Sequence, residues 1–102
     1  MGKSEFELKL SEKDQARISF RTEKGKVSKF TVQLERKNGK WIAIVRFDTA
    51  HGKVHKHTFH PDGTQEITKL KFADYDQAFT YVYQYARLHW REMVAEFERK
   101  RK

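Results

Sequence analysis

The stretch from Val27 to Asp48, VSKFTVQLERKNGKWIAIVRFD, decides the fold. Its first arm alternates Phe30, Val32 and Leu34 with Lys29, Thr31, Gln33 and Glu35, the two-residue period of a strand with one buried face. Lys37-Asn38-Gly39-Lys40 then supplies the Asn-Gly pair that favours a tight hairpin, because both residues tolerate left-handed backbone. In the return arm, Trp41 to Asp48, the positions Trp41, Ala43, Val45 and Phe47 stay apolar, whereas Ile42 and Ile44 give way to Arg46 and Asp48. A face that begins greasy and ends in charge leads into a site.

The same reading extends in both directions. Before the hairpin, Phe6, Leu8 and Leu10 alternate over Glu5 to Leu10, and Ile18 and Phe20 do so over Ala16 to Thr22. Polar turns at Ser11 to Gln15 and Glu23 to Lys26 separate them. After the hairpin come a turn at Thr49-Ala50-His51-Gly52, a strand over Lys53 to His60, a Pro61-Asp62-Gly63 turn and a strand over Gln65 to Phe72. Strands joined throughout by hairpin turns imply an antiparallel meander, here of four to six strands.

Asp74 starts a helix, with Gln77 three positions on and Asp76 as an extra acid in the first turn. Ala78, Phe79, Val82, Ala86, Trp90, Met93, Val94 and Phe97 recur at spacings of three and four, an amphipathic stripe that Tyr81, Tyr85 and Leu88 widen. Some 25 residues of helix would span about 38 Å, so the basic end is expected to project past the body and the extra rings to pack on the sheet. The predicted fold is α+β: one domain over residues 1–102, with a sheet over about 5–72, a helix over about 75–98 and a basic tail at 99–102.

Composition narrows the function classes. The chain has no cysteine, which excludes disulfides and thiolate metal sites. No apolar run approaches the roughly 20 residues of a membrane span, and the opening MGKSEF lacks the apolar core of a signal peptide. A cytoplasmic protein without a membrane partner is expected. The formal charge of +8 favours a polyanionic partner, either nucleic acid or an acidic protein. Lys24, Lys26, Lys29, Arg36, Lys37 and Lys40 face only Glu35 across positions 24 to 40, and with Lys53 and Lys56 they are the candidate nucleic-acid contacts. The alternative for each cluster is a solvated face.

Four of the five histidines fall between His51 and His60. With a four-residue turn at 49–52, Asp48 would lie opposite Lys53, Arg46 opposite His55, Ile44 opposite His57 and Ile42 opposite Phe59. Arg46, Asp48, His55 and His57 would then share one side of the sheet, with His51 at the rim. A slip of one residue would separate them. Such a group could move protons at an RNA 2′-hydroxyl and its leaving 5′-oxygen through His55 and His57, with Arg46 or Lys53 stabilising the charged phosphorane and Asp48 orienting an imidazole. It could instead hold a transition metal through His55-x-His57 with His51, or with His60 if Pro61 distorts the strand end, or form a polar surface with no chemistry. His60 otherwise has the wrong parity to join it, and His89 reads as a packing histidine. No cofactor is expected: the chain lacks a Gly-rich phosphate loop, a Ser or Cys nucleophile motif and the paired carboxylates of two-metal nucleases.

At Phe47-Asp48-Thr49-Ala50-His51-Gly52-Lys53-Val54-His55-Lys56-His57 the chain resembles the TumE-type toxin family of prokaryotic toxin–antitoxin pairs and its uncharacterised relatives. That family carries an aromatic-Asp-Asn element at a strand end, a short turn often containing Gly-Lys, and then His-x-His. The resemblance covers roughly Trp41 to Ala86. Asp48, Gly52, His55 and His57 match the motif, whereas Thr49 stands where the family has Asn and Phe47 where it usually has Tyr. The resemblance implies a small basic toxin or a toxin-derived protein, partnered by a helix-turn-helix antitoxin. Joined to the residue chemistry, the expectation is a protein that engages RNA, cleaving it without metal through a histidine pair. The competing expectation is a non-enzymatic basic binding protein or a His-rich metal-binding domain. Dimerisation through the helix is left open.

Overall fold

Alternation of apolar and polar side chains draws six strands into one antiparallel sheet in the computed structural model, which describes residues 2–49 and 52–101. The strands are β1 (Gly2–Lys9), β2 (Asp14–Glu23), β3 (Lys26–Asn38), β4 (Lys40–Asp48), β5 (Val54–Phe59) and β6 (Gln65–Leu70), followed by one helix, α1 (Tyr75–Arg99). Their order across the sheet is their order in the chain, so the expected meander is realised with all six strands. No helix among the described residues is long and apolar enough to cross a membrane.

Residues directly opposite in an antiparallel pair share a face. The cross-strand rows Ala16–Leu34–Val45, Ile18–Val32–Phe47 and Phe20–Phe30 therefore draw one apolar face. Helix α1 lies on that face, chiefly over β3 and β4. It buries Ala78, Val82, Ala86, Trp90, Val94 and Phe97, the stripe that the helical spacing predicts. Phe79 wedges between Phe20 and Phe30, with ring centroids 4.8 and 5.4 Å away. Burying these side chains stabilises the domain by roughly 1.5–3 kcal/mol each before entropy is counted.

The apolar character of both parities in early β4 has a structural cause. Leu34 pairs with Val45 but Glu35 with Ala43, so Ile44 is the extra residue of a β-bulge. The bulge switches which parity faces the helix: Ile42 pairs with Arg36, whose Nε reaches Glu98 of α1 at 3.2 Å, while Val45 and Phe47 continue the core beyond it. Gly39 closes the β3–β4 hairpin at φ +80°, a conformation that a side chain would strain.

The helix start is capped as the sequence predicts. The Asp74 carboxylate accepts from the Gln77 amide at 2.8 Å, and the Gln77 side chain returns to the Ala73 amide at 3.1 Å. Asp76 accepts from the Val27 amide at 2.7 Å and pins this end of the helix to the start of β3.

Two expectations about α1 are corrected. Its C-terminal end does not project: Phe97 is buried, Glu98 holds Arg36, and the Lys100 ammonium lies 3.4 Å from His60 Nδ1. The sheet is long enough to carry the whole helix because β3 runs for 13 residues. Nor do all the extra rings pack on the sheet, for Tyr81 is 51% and Leu88 71% exposed, while Tyr85 edges onto Phe47 at 6.2 Å. Tyr81 and Leu88 point beyond the helix's line of contact with β3 and β4.

Candidate functional site

The face of the sheet opposite α1 carries the other parity of every strand. One row across it reads Ser19, Thr31, Asp48, His55 and Lys69, and the next reads Arg17, Gln33, Arg46, His57 and Ile67. Arg46, Asp48, His55 and His57 therefore converge on one open face, as the strand parity predicts. The pairing itself differs by two residues from the expected one: Arg46 is opposite His57 and Asp48 opposite His55. Thr49, just past the end of β4, stays against β3, its hydroxyl accepting from the Phe30 amide at 3.1 Å. A shift of two preserves the face, where a shift of one would have inverted it. Gly52, at φ +76°, occupies left-handed backbone in this connection and justifies a glycine there.

Asp48 is the hinge of the group. Its carboxylate lies 3.3 Å from His57 Nε2 and 4.0 Å from His55 Nδ1. The other nitrogen of His57, Nδ1, faces the side-chain oxygen of Gln65 at 3.0 Å. His57 is thus held from both sides, whereas Nε2 of His55 has no hydrogen-bond partner among the described residues. The side chains of Asp48, His55 and His57 are only 14–17% exposed, so water screens their mutual interaction less than it would on an open surface. The two imidazole centroids are 6.3 Å apart. Phe59 continues the line, stacked on His57 at 12° between ring planes, with the Arg46 guanidinium 5.4 Å over its ring.

Arg46 belongs to a second layer of polar contacts that runs inward along the same face. Its Nε donates to Gln33 Oε1 at 2.8 Å, and Gln33 in turn donates to Glu35. Glu35, buried at 5% exposure, also accepts from Gln15 Nε2 at 2.6 Å and Arg17 Nε at 3.3 Å. A carboxylate so deeply buried needs such donors, and here it has three. This layer fixes the Arg46 stem while leaving its terminal nitrogens without hydrogen bonds to other described residues.

The eight basic residues singled out in the sequence do not form one surface. Lys29 lies on the open face opposite Arg21. Arg36 and Lys56 lie on the helix side, Arg36 bridging Asp14 at 3.1 Å and Glu98, and Lys56 lying 5.9 Å over both Phe47 and Tyr85. Lys24 and Lys26 sit at the β2–β3 turn, Lys37 and Lys40 at the β3–β4 hairpin, and Lys53 precedes β5.

Among the remaining histidines, His60 is outside the group, paired with Glu66 at 3.0 Å on the helix side. His89 lies against Tyr85, ring centroids 4.7 Å apart and tilted by 36°, and meets Glu92, half exposed rather than in the core. His51 lies outside the described residues. Among the described residues no three His, Asp or Glu side chains are grouped so as to hold a metal ion.

Sequence reasoning missed Gln65, Gln33 and Phe59 as members of the site. The signal for Gln65 was the Pro61-Asp62-Gly63 turn, which sets Phe59 opposite Gln65 and leaves Gln65 diagonal to His57. Asp62 closes that turn by accepting from the Thr64 hydroxyl at 2.6 Å and the Thr64 amide at 2.9 Å, which holds its carboxyl below the usual carboxylate range.

Residues 1–102 match the DUF7718 family, described as a domain of unknown function, and the chain belongs to that family. Neither the curated proteins nor the solved structures contain a match to it.

Proposed function

We propose that this chain is a TumE-like toxin or toxin-derived protein that engages RNA in the cytoplasm and cleaves it without metal through His55 and His57. The observation that carries the reading is the placement of both imidazoles around one carboxylate, beside an arginine, on the sheet face that the helix leaves open. The match of Asp48, Gly52, His55 and His57 to the TumE motif supports it, and on this reading the natural partner is a helix-turn-helix antitoxin.

The division of roles follows from the contacts. His55, with Nε2 open, takes the proton of the 2′-hydroxyl as that oxygen attacks the neighbouring phosphorus. His57, held between Asp48 and Gln65, acts as the acid, giving its Nε2 proton to the departing 5′-oxygen as the P–O5′ bond breaks. The products are a 2′,3′-cyclic phosphate and a 5′-hydroxyl, with no water consumed. Arg46 offers its terminal N–H groups to the phosphorane oxygens, where charge develops. Asp48 holds both rings and offsets the positive charge on whichever is protonated.

The test is incubation of tag-free protein with total RNA in EDTA, wild type beside His55→Ala and His57→Ala, with helicity followed in all three. Each substitution should slow cleavage by about 10²- to 10⁴-fold, and cyclic phosphate ends should accumulate only with the wild type. RNA left intact by correctly folded wild-type protein would refute the catalytic reading and favour binding alone.

A further inference from the structure

Beside the site, one row further along the strands, Lys3, Arg21 and Lys29 stand opposite one another on β1, β2 and β3. Together with Ser19, Thr31, Asp48 and Thr49 they line a cleft of about 340 Å³. Lys3 is partly neutralised by Glu5 at 3.1 Å. Arg21 and Lys29 have no ion-pair partner among the described residues, so the cleft carries net positive charge next to hydroxyl donors.

We infer that this cleft binds the phosphate backbone of a single-stranded RNA and feeds it along the sheet to Asp48, His55 and His57. The inference rests on the RNA reading of that site and adds where the substrate lies. Successive rows on one face of a sheet are roughly 7 Å apart, the scale on which an extended single strand repeats its phosphates. Arg21 and Lys29 neutralise one phosphate, Ser19 and Thr31 donate to its oxygens, and the next phosphate reaches the histidine row. The Asp48 carboxylate excludes a phosphate from the wall between them unless the flanking imidazoles carry charge. Beyond the histidines, Phe59, nearly parallel to His57 and with the Arg46 guanidinium 5.4 Å from its ring centroid, continues the line as an aromatic and cationic surface against which a base can pack. Cations, then proton-transfer groups, then an aromatic platform in one line suit a single strand better than a duplex, whose bases are already stacked. The cleft accounts for only one of the eight basic positions noted from sequence, Lys29; Lys3 and Arg21 join it through the strand register alone.

The experiment measures binding of a fluorescent 2′-O-methyl oligouridine of roughly twelve nucleotides, within the span single-strand-binding surfaces cover. This probe cannot be cut through its 2′-oxygen, so binding is read apart from catalysis. Arg21→Gln combined with Lys29→Gln should weaken binding more than about tenfold and flatten the salt dependence by about 0.7 log units per log unit, the slope of the one phosphate they neutralise. Lys71→Gln combined with Lys100→Gln removes the same charge elsewhere and should change affinity less than about twofold. Equal weakening by both pairs, an unaffected cleft variant, or wild-type protein that does not bind the probe would each overturn the inference. Tight cleft-dependent binding without cleavage of natural RNA would refute the catalytic proposal and leave this one standing.

Discussion

The two faces of one sheet follow the same alternating code and reach opposite ends with it. On the helix side, Ile18, Val32, Leu34 and Val82 are essentially inaccessible, and apolar packing fills the centre, with Arg36 and its partners Asp14 and Glu98 at one end. On the other side the same strands hold Glu35, Arg46, Asp48, His55 and His57, joined by hydrogen bonds and ion pairs and partly open to solvent. A meander of this size can give one face mainly to stability, which leaves its reverse for chemistry. Glu35 is where the separation breaks down, since it faces away from the helix and is nevertheless buried.

The largest effect expected from probing this contrast is on the covered face. Ile18→Ala should cost about 2–5 kcal/mol, by lost burial and a cavity against α1, measured by urea unfolding. The second effect tests the exception. Glu35→Ala strands the donors of Gln15, Gln33 and Arg17 and should cost about 1–3 kcal/mol; a neutral result would mean that the open face contributes nothing to stability. His55→Ala and His57→Ala should stay within about 1 kcal/mol of wild type in the same assay, so that lost activity in them reports chemistry and not unfolding.

Leu88→Ala, at a side chain 71% exposed, should shift stability by less than about 0.5 kcal/mol. The smallest effect concerns the turn that registers Gln65 beside His57. Asp62 has its carboxyl depressed chiefly by the Thr64 hydroxyl, so its contribution is present above the unfolded carboxylate pKa and is lost as pH falls through the folded one. Thr64→Val should move the Asp62 midpoint upward in an NMR titration and leave stability at neutral pH almost unchanged.

Much of this architecture was legible in the chain. Asn38-Gly39 located the central hairpin, Asp74 and Gln77 located the helix start, and period-two alternation assigned Arg46, Asp48, His55 and His57 to one face. What escaped reading were the features that depend on neighbours in space. Thr49 looked like a turn residue, but its hydroxyl meets the Phe30 amide of β3, and the β4–β5 pairing lies two residues from the expected one. The bulge at Ile44 was visible only as apolar character on both parities. The basic residues could be grouped only by sequence distance, which hides sidedness. The ladder sends Arg36 and Lys56 to one face and Lys29 to the other, beside Lys3 and Arg21, which no charge run marked.

The central claim is that ligand engages the open face of the sheet and not the helix side. The measurement that tests it most directly is a two-dimensional NMR titration of the wild-type protein with the uncleavable oligouridine. The account predicts that His55 and His57 ring signals and the amides of Ser19, Arg21 and Thr31 shift together and saturate at one equivalent, while Tyr81, Tyr85 and Leu88 stay in place. Shifts centred on Tyr81, Tyr85 and Leu88, with the histidine rings unmoved, would contradict it.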